Sequence, residues 1–321
     1  MQEQKRGLNG GWPASLMTVL LVVGMTGMAE LLGEPEILFP EIAALAVGAW
    51  LAPRMVWQTS RVRLVLLIAV SAVLGVLIVR LCPLPFYGRL CLAFLLSQLL
   101  LTVSGTDFAP MTSALMLPVL LGTTSWIYPV SAGVMTGLVA GIQWLLEKLG
   151  GREPLVFTPQ PLCLRETFGR FSAFYKRLLI VLLLLLPVAV SDWRFCAAPP
   201  LLVAFIELSN PACPARRRPV YTAAVVAWCT LAGSLIRYGL CSHAGLPLTL
   251  AAAVIAVGLV LFIRLSGFYF PPAGAMAVLP LLVPEAVVPL LPLQALLGVT
   301  VLTTAALLLF RQGRVREAME S

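Results

Sequence analysis

Two stretches of this chain set proline, glycine and hydroxyl side chains at the start of a short apolar run. One is Ser104-Gly105-Thr106-Asp107-Phe108-Ala109-Pro110-Met111-Thr112-Ser113; the other is Ser266-Gly267-Phe268-Tyr269-Phe270-Pro271-Pro272-Ala273-Gly274-Ala275. Proline suits the first helical position, where its missing N–H would have had no partner. A helix beginning there leaves about four backbone N–H groups free and carries roughly half a positive charge at its amino end. Two such ends facing each other would attract a small anion without any basic side chain. The candidate set is Ser104, Gly105, Thr106, Phe108, Pro110, Thr112 and Ser113, with Ser266, Gly267, Tyr269, Phe270, Pro272 and Gly274 in the second stretch. The hydroxyls would add donors, the glycines would expose backbone, and Phe108 and Phe270 would shape the path. Asp107 suits a helix cap and, as a carboxylate, would repel an anion.

Glu207 and Asn210 complete the candidate set. Glu207 lies inside an apolar run, where a carboxylate is costly. It suits either a contact to a proton or cation, or an interfacial place beside Arg216, Arg217 and Arg218. Asn210 stands in the break Ser209-Asn210-Pro211 that ends the same run. Glu41 begins its own segment and reads as a helix cap. Arg80 and Arg237 end corresponding segments and read as side chains snorkelling to the headgroups. The chain has seven scattered cysteines and one histidine, His243, with no metal-ligand spacing. Cys82 and Cys91 could meet across a loop, but buried free thiols are the expectation. No nucleophile elbow, phosphate-binding loop, dinucleotide fingerprint or paired carboxylates appear, so an enzyme and a cofactor are not expected.

The elements that must hold these residues follow from composition. Sixty per cent of the residues are hydrophobic and 11% are charged, against about a quarter charged in soluble domains. Twelve apolar segments can be read, at 13–30, 38–52, 62–81, 89–103, 108–121 and 125–146, then 178–191, 196–209, 219–240, 246–264, 270–283 and 286–310. The expected fold is an all-α polytopic membrane protein of two parallel, pseudo-symmetric repeats with six segments each. Short or broken helices fall at 38–52, 108–121, 196–209 and 270–283. At about 14 residues these would measure about 21 Å, less than the roughly 30 Å hydrocarbon core. Self-similarity supports the division: an offset of 162 carries Ser104, Gly105, Phe108, Pro110 and Pro118 onto Ser266, Gly267, Phe270, Pro272 and Pro280. An offset of 158 carries Pro53 onto Pro211 and Gly75 onto Gly233.

Residues 1–146 then form the first repeat, 147–177 a basic cytoplasmic linker, 178–310 the second repeat and 311–321 a polar tail. Alternating crossings put 18 of the 22 Lys and Arg residues on one side, which the positive-inside rule makes cytoplasmic, with both termini. The net charge of +8 is explained this way and not by nucleic acid. Lys5 and Arg6 precede an apolar segment with no small-residue cleavage site, so a retained first span is expected. Were one short segment per half re-entrant, the repeats would be inverted and the central linker would change sides.

The segment Phe270-Pro271-Pro272-Ala273-Gly274-Ala275 resembles the signature of the HPP family of integral membrane proteins, His-Pro-Pro followed by small residues. Glu207-Leu208-Ser209-Asn210-Pro211, with Pro214 and Pro219 after it, is similar to that family's second motif. The likeness covers 178–310 and, in a diverged form, the first half, so the chain looks like a tandem pair of units. Phe108 and Phe270 stand where the signature histidine would be. The resemblance implies transport, with nitrite among the family's solutes.

The expected function is thus a transporter or channel for a small solute, an anion such as nitrite or a small organic acid, in a bacterial inner membrane. The solute would bind near mid-depth, and a homo-oligomer is compatible with this. The alternative is a membrane-embedded scaffold that docks a soluble partner through 147–177.

Overall fold

The computed structural model describes residues 11–150, 164–191 and 193–310. Twelve α-helices lie in this order: α1 Gly11–Leu32, α2 Glu41–Ala46, α3 Arg61–Leu81, α4 Phe86–Ser104, α5 Pro110–Leu121, α6 Ile127–Lys148, α7 Leu164–Ala189, α8 Pro199–Leu208, α9 Pro219–Arg237, α10 Leu248–Ser266, α11 Pro271–Val278 and α12 Leu291–Leu309. A π-helical turn, Val47–Leu51, prolongs α2, and a 3₁₀ turn, Leu279–Leu281, prolongs α11. Eight helices are long and apolar enough to cross a bilayer; α2, α5, α8 and α11 are short. The chain is an all-helical polytopic membrane protein.

The order long, short, long, long, short, long occurs twice. Corresponding helices start at matched positions, Glu41 with Pro199 and Arg61 with Pro219 at one offset, Phe86 with Leu248 at the other. Packing partners recur too. The pair α1–α10 is matched by α7–α4, α3–α5 by α9–α11, α3–α6 by α9–α12, and α2–α11 by α8–α5. The short helices of one half therefore pack on those of the other. Every residue of α2, α8 and α11 is buried, and so is all of α5 except Leu121. Protein, not lipid, surrounds these half-length helices, which is the condition under which broken helices are stable at membrane depth. The long helices form the outer shell and leave leucines such as Leu66, Leu183 and Leu261 exposed to the bilayer.

Bonds between helix ends sort the loops onto two faces. On one, Arg61 pairs with Glu147, the Gln58 N–H donates to Asp107 (2.6 Å), Arg264 to Ser15 (2.7 Å) and Arg216 to the Ala306 carbonyl (3.0 Å). On the other, Glu30 accepts from the Thr249 N–H (2.9 Å), Arg80 donates to the Thr124 carbonyl (2.6 Å) and the Phe195 N–H to Gln294 (2.9 Å). Each helix, long or short, joins one face to the other, so α1 starts and α12 ends on the same face. Re-entrant short segments do not fit this arrangement. Among the described residues the first face holds Arg54, Arg61, Arg63, Lys148, Lys176, Arg177, Arg216, Arg217, Arg218 and Arg264; the second holds Arg80, Arg89, Arg194 and Arg237. The first is called the basic face below.

Close approach of a long helix to a short one is achieved in the same way in both halves. A Cβ on Gly75 would lie 2.4 Å from the Leu115 carbonyl and 3.0 Å from Pro118; one on Gly233 would lie 2.1 Å from the Ala277 carbonyl and 3.1 Å from Pro280. Small residues permit such backbone contact in membranes. The prolines free carbonyls one turn back, and the Tyr128 hydroxyl fills this vacancy at Ala114 (3.0 Å). Arg237 donates to the carbonyls of Pro280 and, at 2.6 Å, Val283, closing the end of α11 rather than snorkelling. Arg80 likewise reaches Thr124 and stacks on Trp126 at 5.1 Å. Arg237→Met should leave two carbonyls unpaired and lower the stability in detergent by about 1–3 kcal/mol, read as a fall in thermal midpoint, with a smaller fall for the more exposed Arg80→Met.

One boundary differs from the sequence reading. Helix α7 begins at Leu164, inside what reads as a linker to residue 177. Leu164, Phe168, Phe171 and Phe174 recur at helical spacing among charged residues, and such an amphipathic turn has too little net hydropathy to register as a span. Residues 1–10, most of the linker's first half and the tail 311–321 lie outside the described residues. Cys82 and Cys91 are both free thiols.

Candidate functional site

The four short helices meet at the centre of the bundle, and their first or last turns supply its polar groups. Glu41, 1% exposed, opens α2, and the Ser113 hydroxyl in the first turn of α5 donates to its carboxylate. The other carboxylate oxygen and the neighbouring Thr112 hydroxyl are buried without a hydrogen-bond partner among the described residues. On the far side of this contact α2 packs on α11. A Cβ on Gly274 would lie 3.2 Å from the Ala43 carbonyl and 3.1 Å from Val47, so glycine sets how closely these two helices approach. Neither Glu41 nor Glu207 is ion-paired among the described residues.

Toward the basic face the centre is closed by Trp57, from the loop between α2 and α3. It is 2% exposed and touches α8, the residue before α5 and the extension of α2. Its indole N–H donates to the Glu207 carboxylate of α8 at 2.9 Å. Its ring meets Phe108, just before α5, edge-on at 5.3 Å and 86°. It lies against Gly48 of the α2 extension, where a Cβ would come within 2.4 Å of the ring and within 3.2 Å of Pro271 at the start of α11. The corresponding positions in the second half, at the 158 offset, are Ile206 for Gly48 and Ala215 for Trp57. Bulk has moved from loop to helix, so the plug belongs to the first half alone. The carboxyl end of α8 is held by cations: Arg177 donates to Ser209 at 2.6 Å and Arg216 to the Leu208 carbonyl at 2.6 Å, as suits the last carbonyls of a helix.

The sequence candidates divide into two groups. Phe108, Pro110, Thr112, Ser113, Phe270, Pro272, Gly274 and Glu207 are buried where the short helices meet. Ser104, Gly105, Thr106, Ser266 and Gly267 lie at the basic face, where they terminate α4 and α10. Gly105 (φ 65°) and Gly267 (φ 62°) are left-handed caps, as glycine allows at little cost. Ser104 bonds Leu101 and Thr106, and Ser266 bonds Ile263 and the Phe268 N–H. Asn210 accepts from Ala212 N–H at 3.0 Å and shapes the turn after α8. Tyr269 is half-buried beside them. Phe270 lies against Phe268 at 6.2 Å, which stacks on Tyr221 at 5.0 Å. Trp57 is the residue that sequence reasoning missed; Glu41, read as a cap, reaches across to Ser113 instead.

On the outer shell, an apolar groove between α9 and α12 is lined by Ala224, Ala227, Trp228, Leu231, Pro292, Leu293 and Leu296. It carries no polar group to orient a solute and faces the acyl chains. Among the described residues no three His, Cys, Asp or Glu side chains gather as metal ligands do. No family model, no curated protein and no solved structure matches the chain.

Proposed function

We propose that this membrane protein is a secondary transporter or channel for a small polar solute, which passes between the four short helices at mid-depth. The observation that supports this most is their meeting across the two halves around Glu41, Ser113, Thr112 and Glu207, polar groups that a purely structural core would replace by apolar ones at lower cost. Broken helices meeting at the interface between two repeats near mid-depth recur as the architecture of transport sites. In this arrangement Trp57 is the gate toward the basic face, which the positive-inside rule assigns to the cytoplasm, and Glu207 is its latch.

The sign of the solute follows from the same residues. Helix amino ends alone would draw an anion, but two acidic side chains sit at the centre, and Arg177 and Arg216 are engaged with α8 at its end. A neutral solute with hydrogen-bonding groups suits this centre better than nitrite or a carboxylate. The HPP-like segment at Phe270–Ala275 adds to the transport reading and not to the choice of solute.

The test is flux into proteoliposomes of the full chain with ammonium, urea, formate and nitrite. Gly274→Leu, which wedges α2 from α11, should reduce the flux of the transported solute at least tenfold. Gly258→Leu, at a position with open space around it, should not. Equal flux in wild type, Gly274→Leu and empty vesicles for all four solutes would remove the centre from any transport role.

A further inference from the structure

We propose that Glu41 is the proton-binding carboxyl that couples solute movement to a pH gradient; this rests on the transport reading above. Glu41 is buried inside the bundle on α2, the short helix that packs on both α5 and α11. One of its oxygens accepts from Ser113, and the other has no hydrogen-bond partner among the described residues. A bare carboxylate in such surroundings carries a large desolvation cost unless a cation or a proton neutralises it. A calcium or magnesium ion is a poor fit, because it needs about six oxygen ligands, and one carboxylate with the Ser113 hydroxyl does not supply them.

The neighbouring elements offer no fixed counter-charge. Helices α5 and α11 contain no ionisable residue, and neither does the turn Val47–Leu51. In α1 the only one is Glu30, which is bound to Leu248 and Thr249 at the far face. In α6 they are Tyr128, whose hydroxyl is given to Ala114, Glu147, which is paired with Arg61, and Lys148 at the basic face. The proton is therefore the charge partner the site can take, and releasing it requires the centre to open. Binding and release on opposite faces would tie proton transfer to the same movement that carries the solute. No bond other than the O–H is made or broken: the proton comes from water on one face and returns to water on the other.

Two measurements on the full chain test this, one of them independent of transport. Infrared difference spectra at neutral pH, wild type minus Glu41→Gln, should show the C=O stretch of a neutral carboxylic acid, present in Glu207→Gln and lost in Glu41→Gln. In wild-type proteoliposomes, solute uptake should carry protons inward with the solute, and Glu41→Gln should lose accumulation driven by a pH gradient. An unchanged spectrum in Glu41→Gln overturns the proposal, as does gradient-driven accumulation that survives the substitution. A neutral-acid band with no solute flux in wild type would overturn the coupling and the transport reading while leaving the protonated site, so the two failures are separable.

Discussion

Gly75→Leu and Gly233→Leu are each expected to abolish recovery of a monodisperse protein, and Gly75→Ala and Gly233→Ala to lower the thermal midpoint in detergent by similar amounts. A single added methyl would sit 2.4 Å from the Leu115 carbonyl in one case and 2.1 Å from the Ala277 carbonyl in the other. The atom it meets is backbone oxygen of a fully buried helix, so it cannot swing aside as a side chain would. Adding methylenes to a filled core costs about 1–3 kcal/mol, and here the α3–α5 or α9–α11 contact would separate before the strain was relieved. Helices in lipid have no hydrophobic drive to hold them together once close packing is lost. Because the two glycines occupy matched sites, matched losses are the expected outcome; a tolerated leucine at either would show that the two halves are not built alike. Size-exclusion elution and thermal unfolding of the four variants provide the comparison.

Trp57→Ala should produce the largest functional change and a large stability change. It removes the edge-on contact with Phe108 and the packing against Gly48, and it takes away the N–H that Glu207 accepts. Truncating a buried tryptophan costs about 3–5 kcal/mol, and an unpaired buried acceptor about 1–3 kcal/mol. Trp57→Phe keeps an aromatic ring but loses the donor and the outer indole atoms that lie against Gly48, so its cost should fall between the second figure and that of Trp57→Ala. Opening the basic side of the centre should also raise passive solute leak in proteoliposomes several-fold over wild type for Trp57→Ala and little for Trp57→Phe. A leak no greater than wild type in a folded Trp57→Ala protein would mean that the indole packs the core without gating anything.

The architecture was legible because its signals are local. Run length separates 38–52, 108–121, 196–209 and 270–283 from the longer spans, and proline before a short apolar run marks where a helix starts in the membrane. The recurrence of Gly75 and Pro118 as Gly233 and Pro280 was visible as an offset, although nothing in the sequence said that each glycine would lie under a carbonyl preceding the proline. The interior of the site was much less legible. Trp57 meets Gly48, Phe108 and Glu207, residues from both halves of the chain, and no spacing rule links them. Ser104, Gly105, Ser266 and Gly267 drew attention for the right local reason, a break in the helix. That break lies at the membrane face and serves chain reversal, while Ser113, a turn further in, makes the contact to Glu41. Glu41 itself was hidden by a local rule: a carboxylate in a first helical turn looks like a cap whether or not it also reaches across to another helix.

Transport through the bundle requires the packed centre around Ser113 and Glu41 to become open to water as the protein works. Its most direct test is a single cysteine, Ser113→Cys, in a chain whose seven native cysteines are replaced by alanine, reacted in membrane vesicles with a small hydrophilic thiol reagent. Labelling that is measurable in this background, faster when Trp57→Ala is added and slowed by the transported solute, is the predicted result. A thiol that stays unreactive in both backgrounds, as one sealed in a static core would, contradicts it.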